Sequence, residues 1–218
     1  MKILIVDDHP LIREALRQVL TALDKELTLL EAQTCAEALS MADRNPDLDL
    51  VLLDLGLPDA AGSDALTQMR ERFPSIPVVV LSASEEPRVV TSAIDAGAMG
   101  FIPKTASNQV LLNALRLVLA GGVYLPREVL LHGAGNSRTG TEAAAGPRAE
   151  DIRLTARQRD VLALLVQGKP NKLICRALHL AEGTVKIHVT AILKALNVSN
   201  RTQAVIAVSR LGLKLPRA

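Results

Sequence analysis

The stretch DLVLLDLGLP, residues 49–58, runs three apolar residues directly into a carboxylate. Val51–Leu53 precede Asp54, and Gly56 and Pro58 then break the chain. A short apolar run bounded by turn residues is typical of a buried strand. Because burying an unpaired carboxylate is costly or shifts its pKa, we expect Asp54 to have a chemical role at the end of this strand.

The first 125 residues repeat this strand pattern in alternation with amphipathic helices. Stretches with helix-like spacing separate five short apolar runs, which lie at 3–6, 27–30, 50–53, 78–81 and 100–102. Strand–helix alternation at this spacing predicts a parallel sheet covered by helices on both faces. We therefore predict a flavodoxin-like, doubly wound α/β domain over residues 1–125, with strand order 2-1-3-4-5.

Charge is distributed unevenly along the chain. Residues 1–125 carry 10 Lys and Arg against 17 Asp and Glu, a net charge of −7, whereas residues 151–218 carry 12 against 3, a net charge of +9. Between them, residues 126–152 are rich in Gly, Ala, Ser and Thr and lack apolar periodicity, which predicts a flexible linker. An acidic block joined to a basic block indicates two functions, and the basic block favours a polyanion partner.

Residues 153–218 have helical periodicity throughout and predict an all-α domain of four helices. Thr155, with Gln158 three residues later, forms a capping box at the first helix start. A short helix at 171–178, a tight turn and a longer helix at 182–196 match the helix-turn-helix spacing, and a fourth helix follows.

Neither a membrane nor an oxidising compartment is indicated. No apolar run approaches the roughly 18 residues that span a bilayer. The start, MKILIVDDHP, places a charge pair where a signal peptide would continue its apolar stretch. Cys35 and Cys175 lie far apart in segments of different character, which favours reduced thiols. We predict a cytoplasmic protein.

Polar side chains meet at one edge of the predicted sheet, where ligands bind beyond the carboxyl ends of parallel strands. The side chains come from the ends of four strands and are Asp7, Asp8, Asp54, Ser82 and Lys104. Close carboxylates repel each other, and Mg²⁺ relieves this because it prefers oxygen ligands. Phosphoryl transfer needs mainly positioning and charge neutralisation, and an Asp can serve as its nucleophile. The pattern predicts that Asp54 accepts a phosphoryl group, with Lys104 and the Ser82 hydroxyl holding its oxygens.

The motifs ILIVDDHPLIREAL, VLLDLGLPDAAG, VVVLSAS and GAMGFIPK resemble the receiver domain of bacterial two-component response regulators. The resemblance implies that a sensor histidine kinase phosphorylates Asp54. It also implies that Asp8, Asp54 and the Gly56 carbonyl bind Mg²⁺ directly and that Asp7 binds it through water. Ser82 and Phe101 match the family's switch pair. Gly56 has no side chain with which to tune dephosphorylation, and Pro103 precedes Lys104 where many receivers have Pro after it.

The segment LTARQRDVLALLVQGKPNKLICRALHLAEGTVKIHVTAILKALNVSNRTQAVIAV resembles the LuxR-type DNA-binding domain of the NarL/FixJ group. On the helix from Glu182, Val185, Val189, Ile192 and Leu196 recur at core spacing, and Lys186, Ile187, Thr190 and Lys194 should point outward into a major groove. The resemblance implies base reading by Lys186, Ile187 and Thr190, and phosphate contacts by Lys172, Thr184, His188 and Arg201. The turn departs from the family, because His179 and Ala181 replace Gly and a hydroxyl residue.

We therefore predict a transcription factor that phosphorylation of Asp54 switches. The partners are double-stranded DNA, a sensor kinase and a second copy of the chain, and the cofactor is Mg²⁺. A scarcity of aromatic residues argues against single-strand binding. Two alternatives are an aspartyl-phosphate hydrolase, which would want an Asp where Gly56 stands, and a regulator whose receiver serves only as a dimerisation module. We expect no enzymatic activity beyond the receiver's own phosphoryl transfer and dephosphorylation.

Overall fold

The computed structural model describes residues 1–24, 26–126, 152, 154–198 and 200–213. The predicted linker at 126–152 lies almost wholly outside the described residues. Among the helices of the described part, none combines the length and apolar character needed to cross a membrane.

Five parallel strands form one sheet in the order β2-β1-β3-β4-β5, which confirms the predicted order. The strands are β1 Lys2–Val6, β2 Thr28–Ala32, β3 Leu50–Asp54, β4 Val78–Ser82 and β5 Gly100–Pro103. The helices of this domain are α1 Pro10–Leu20, α2 Cys35–Arg44, α3 Asp64–Arg72, α4 Pro87–Asp95 and α5 Asn108–Leu119.

Successive residues of each central strand alternate between two apolar cores. On β3, Val51 and Leu53 face a core that includes side chains of α2, α3 and α4. Leu50 and Leu52 face a second core with α1 and α5. Because helices cover both faces, every residue of β3 is buried, including Asp54. The strand therefore places Asp54 opposite Leu81 of β4 and one residue beyond the last pair with β1, Val6 and Leu53.

Among the described residues from 154 to 213, four helices form the C-terminal domain: α6 Ala156–Val166, α7 Asn171–Leu178, α8 Glu182–Ala195 and α9 Arg201–Leu211. The predicted capping box of Thr155 and Gln158 is present at the start of α6. The apolar stripe predicted for α8 also lies in the core, and its members are no more than 4% exposed: Val185, Val189, Ile192 and Leu196.

The turn between α7 and α8 accommodates both departures from the family pattern. His179 takes the left-handed conformation, with φ 53°, and its backbone N–H donates to the Cys175 carbonyl. Ala181 occupies the N-cap of α8 with extended backbone, and no side-chain hydrogen bond caps the helix there. The helix start therefore lacks a partner that a hydroxyl would supply.

Ala181→Ser should stabilise the C-terminal domain by about 0.5–2 kcal/mol, because a serine hydroxyl accepts a hydrogen bond from a free amide of the first turn. The measurement is the unfolding free energy of that domain in the full chain by denaturant titration. Ala177→Ser, the same change at an exposed position inside α7, is the control and should not stabilise. An unchanged or lower stability for Ala181→Ser would contradict the prediction.

Candidate functional site

Three carboxylates meet at the carboxyl edge of the two adjacent strands β1 and β3. Asp7 is fully buried, Asp54 is 5% exposed, and Asp8 is partly exposed. Ligand atoms of these three residues and of His9 all lie within 4.8 Å of one another. Asp7 Oδ2 and Asp8 Oδ1 are buried from solvent and lie 2.7 Å from Lys104 Nζ and His9 Nδ1, respectively. Such oxygens suit a hard divalent cation, so the residues present fit Mg²⁺.

Lys104 closes one side of this cluster. Its Nζ lies 2.7 Å from Asp7 Oδ2 and 2.8 Å from Asp54 Oδ2. The Lys104 backbone N–H donates to the Ser82 carbonyl at 2.7 Å, which fixes the residue just beyond β5. Partial burial works to lower the pKa of Lys104, but its bonds to the two carboxylates outweigh burial and raise this pKa overall. The ammonium therefore stays charged and offsets part of the repulsion between the carboxylates.

Ser82 lies on the strand beside the acceptor, and Phe101 lies on the next strand outward. Ser82 ends β4, the strand paired with β3, and its Oγ accepts a hydrogen bond from the Ser84 backbone at 3.1 Å. Phe101 of β5 is fully buried in the core with α2, α3 and α4. A Cβ at Gly56 would come within 3.3 Å of Asp54 Oδ2. The glycine therefore leaves open the space beside the acceptor carboxylate.

Two further residues at the cluster were missed by the sequence reasoning. His9 Nδ1 lies 2.7 Å from Asp8 Oδ1 and 3.2 Å from Asp7 Oδ1. Arg13, largely buried on α1, donates from Nη1 to the Asp7 carbonyl at 2.7 Å and from Nε to Glu31 at 3.1 Å. Both residues follow Asp7 and Asp8 closely in the sequence, and this spacing could have indicated that they lie at the cluster.

The exposed side of α8 carries the proposed DNA contacts. Ile187 is 69% exposed, Lys194 is exposed, and Thr184, His188 and Thr190 are half-buried. Lys186 differs from the expectation of an outward, free side chain, because it is only 6% exposed. It is not part of the core of its own domain, but the N-terminal domain covers it.

Contacts between the domains account for the burial of Lys186. Its Nζ donates to the Pro46 carbonyl at 3.0 Å and to the Leu48 carbonyl. Lys172 at the start of α7 places its Nζ 3.2 Å from Asp49 Oδ2. Burial lowers the pKa of Lys186, although the carboxylates of Glu182 and Asp49 oppose that shift. Two of the proposed DNA contacts thus bind the receiver in this arrangement.

Arg201 also has protein partners. Its Nη2 donates to the Leu165 carbonyl at the end of α6, at 2.6 Å, and to the Lys169 carbonyl beyond that helix, at 2.8 Å. Burial lowers the pKa of Arg201 to about 10, so it remains charged at neutral pH. The guanidinium therefore bridges the end of α6 and the loop that follows it.

Family models match both parts of the chain. The response regulator receiver domain matches residues 3–116, and the family of bacterial regulatory proteins described as luxR matches residues 153–208.

Similar proteins extend over nearly the whole chain. The glycerol metabolism activator of Pseudomonas putida is 41% identical over 94% of each chain. The nitrate/nitrite response regulator NarL of Escherichia coli K12 is 34% identical, again over 94% of each chain. A crystal structure of a LuxR family DNA-binding response regulator from Silicibacter pomeroyi is 34% identical, with a TM-score of 0.52 over 59% of this chain and 98% of that one.

Proposed function

This chain belongs to the response regulators that join a receiver domain to a LuxR-type DNA-binding domain, and we propose that Asp54 is the residue on which it is phosphorylated. The family makes the protein a DNA-binding transcriptional regulator. We assign residues 1–125 to the receiver, 126–152 to the linker and 153–218 to the DNA-binding domain. The observation that carries the proposal is the position of Asp54, buried at the strand end and paired with Lys104 beside Asp7 and Asp8.

The chemistry of the acidic cluster follows from its charges. The Asp54 carboxylate attacks phosphorus, and the bond from phosphorus to the donor breaks with its electron pair leaving on the donor. Asp7, Asp8, Asp54 and the Gly56 carbonyl would hold Mg²⁺, which when bound neutralises charge on the phosphoryl oxygens. The Lys104 ammonium contacts the Asp54 carboxylate and would also reach the oxygens of a phosphoryl group on Asp54. Ser82 would supply a hydroxyl from the neighbouring strand.

The absence of a side chain at Gly56 argues against an aspartyl-phosphate hydrolase that acts on separate substrate molecules. An aspartyl-phosphate hydrolase would want a second Asp at this position to act as acid and base, and a side chain there would crowd Asp54 Oδ2. We infer that the receiver catalyses only its own phosphoryl transfer and dephosphorylation. Its donor is a sensor histidine kinase, and its place of action is the cytoplasm.

For DNA, we propose that α8 enters the major groove of a duplex. Exposed Ile187 and half-buried Thr190 support base contacts, and Thr184, His188 and Lys194 support positioning on phosphates. Arg201 would contact phosphate only through N–H groups that the Leu165 and Lys169 carbonyls do not hold. Lys186 and Lys172 join these groups only when they leave the receiver. Two copies of the domain would reach two half-sites, which favours a homodimer on DNA.

We also propose that the receiver occludes the DNA-binding domain before phosphorylation. The Pro46 and Leu48 carbonyls and Asp49 hold the same two lysines that DNA would use. Asp49 immediately precedes β3, whose other end carries Asp54. Phosphorylation then needs only to shift the balance between a closed and an open arrangement.

Phosphorylated full-length protein should bind duplex DNA more tightly than the unphosphorylated protein does. The measurement is a binding titration on DNA fragments selected by the phosphorylated chain, with and without acetyl phosphate and Mg²⁺, at one salt concentration because salt alone shifts such affinities. A phosphorylation-independent regulator, whose receiver serves only to dimerise, would bind equally in both conditions. Equal affinity would therefore overturn the proposed switch.

A further inference from the structure

A buried arginine, Arg13, lies behind the two aspartates that follow β1. It is 9% exposed and belongs to the buried stripe of α1 that also contains Leu16 and Leu20. A guanidinium that is withdrawn from water needs polar partners, because burying an unpaired charge is costly. Its Nη1 donates to the Asp7 carbonyl at 2.7 Å, and its Nε donates to Glu31 of β2 at 3.1 Å. The side chain therefore links α1 and β2 to the backbone of the acidic cluster.

The Asp7 carbonyl belongs to the peptide unit that joins Asp7 to Asp8. A peptide unit is planar, so a bond that fixes its oxygen also fixes the direction in which the chain continues to Asp8. On the other side of Asp7, its backbone N–H donates to the Ala32 carbonyl at 3.1 Å. Its Oδ1 accepts from the backbone N–H of His9 at 2.9 Å. The bond from Arg13 adds a third attachment and orients the peptide that presents both carboxylates.

A second arginine on the same side of α1 allows a comparison. Arg17 follows Arg13 by about one helical turn, is exposed, and contacts the same Glu31 through Nη2. The ion pairs described for Arg17 are with Glu31 and Glu14, and neither residue belongs to the acidic cluster. Arg17 can therefore connect α1 to β2 by itself. The contact with the Asp7 carbonyl is what distinguishes Arg13.

We propose that Arg13 is a positioning residue for the metal site and that, by holding the Asp7 carbonyl, it keeps the Asp7 and Asp8 carboxylates where Mg²⁺ requires them. Mg²⁺ demands near-ideal octahedral geometry, so displaced ligands weaken its binding. The charge of the guanidinium would repel the cation, but Glu31 offsets that charge. The effect of Arg13 is therefore one of geometry. The inference rests on the proposed role of Asp7, Asp8 and Asp54 as metal ligands.

The test compares the full-length chain with Arg13→Gln and Arg17→Gln by calorimetric titration of Mg²⁺. Arg13→Gln should lower Mg²⁺ affinity about tenfold or more, the scale of losses when a partner that orients a metal ligand is removed. Arg17→Gln is the matched control, because it removes the same charge and a contact with the same Glu31 but leaves the Asp7 carbonyl bound. It should change Mg²⁺ affinity little. A pure charge effect would instead tighten Mg²⁺ binding when either arginine is removed.

The rate of labelling by acetyl phosphate, measured against Mg²⁺ concentration, supplies a second readout. Arg13→Gln should raise the Mg²⁺ concentration for half-maximal rate by about tenfold or more, for the same reason. Saturating Mg²⁺ should restore most of the maximal rate, because the described bonds of Arg13 do not include the Asp54 carboxylate. A bridge that only stabilised the fold would lower the unfolding free energy and leave the Mg²⁺ dependence of the folded protein unchanged.

A further variant covers a failure of Arg13→Gln to fold. Arg13→Lys keeps the charge but not the fixed spacing of two donors, so it should lose Mg²⁺ affinity by a smaller factor. Wild-type Mg²⁺ affinity in either Arg13 variant, or an equal loss in Arg17→Gln, would overturn the inference. The proposed metal site fails on a different result. Asp54→Asn should itself weaken Mg²⁺ binding, and unchanged affinity in that variant would remove the carboxylate site whatever the Arg13 variants do.

Discussion

Asp54→Asn is expected to abolish uptake of phosphoryl label from acetyl phosphate in the presence of Mg²⁺. The amide lacks the anionic oxygen that attacks phosphorus, so the loss should be essentially complete rather than partial. The substitution is close to isosteric, and the site retains Lys104 and the other two carboxylates. The expected loss therefore reports on chemistry and not on folding.

Asp59→Asn is the matched control for this experiment. The Asp59 carboxylate accepts hydrogen bonds from the amides of Cys35 at 2.8 Å and Ala36 at 3.0 Å, at the start of α2. These bonds lower the pKa of Asp59, which is therefore an ionised carboxylate. It lies near the same edge of the sheet as Asp54, but its oxygens already bind the amides that begin α2. It should not take up label, and its variant should be labelled like wild type. Labelling of Asp54→Asn at the wild-type rate would show that the acceptor assignment is wrong.

The receiver fold could be predicted because its central strands β1, β3 and β4 are buried on both faces. Short apolar runs such as Val51–Leu53, bounded by turn residues, indicate such strands, and parallel pairing brings the strand ends to one edge. The proximity of Asp7, Asp54 and Lys104 then follows from topology alone. The core stripe of α8 was predictable for the same reason, since a period of 3.6 residues fixes which side chains face inward.

Contacts that depend on side-chain torsions or on domain placement could not be predicted. Periodicity places Lys186 on the outer side of α8, but nothing local indicates that the Pro46 and Leu48 carbonyls cover it. A positive charge at Arg201 is compatible with phosphate, and only the structure reveals carbonyls at the end of α6 as its partners. The imidazole of His9 could equally have faced solvent.

A fragment of residues 148–218 is expected to bind a single DNA half-site more tightly than the unphosphorylated full chain does. The fragment has no receiver to hold Lys172 and Lys186, so both lysines are free for DNA. If the open arrangement of the full chain is populated at about 0.1–10%, the fragment gains about 10- to 1,000-fold in affinity. A half-site is required because it removes any contribution from pairing of receivers.

A variant of the full chain tests the same contact without removing a domain. Asp49→Asn removes the charge that Lys172 contacts but keeps an oxygen that can accept the Lys2 backbone N–H. The affected pair is partly exposed, and such pairs contribute about 0.2–1 kcal/mol, so half-site affinity should rise by a few-fold at most. Glu14→Gln removes the same charge from the exposed part of α1 and should have no effect.

The fragment, the unphosphorylated full chain and its two variants must be titrated at one salt concentration, since the fragment and the full chain differ greatly in net charge. Charge alone predicts that an acidic receiver weakens DNA binding from any position, by long-range repulsion that salt screens. Occlusion predicts that Asp49→Asn raises half-site affinity more than Glu14→Gln does. It also predicts that the fragment still binds the half-site more tightly than the full chain at high salt. If the fragment binds no better than the unphosphorylated chain, the lysines are not withheld from DNA, and phosphorylation must act by bringing two chains to adjacent half-sites.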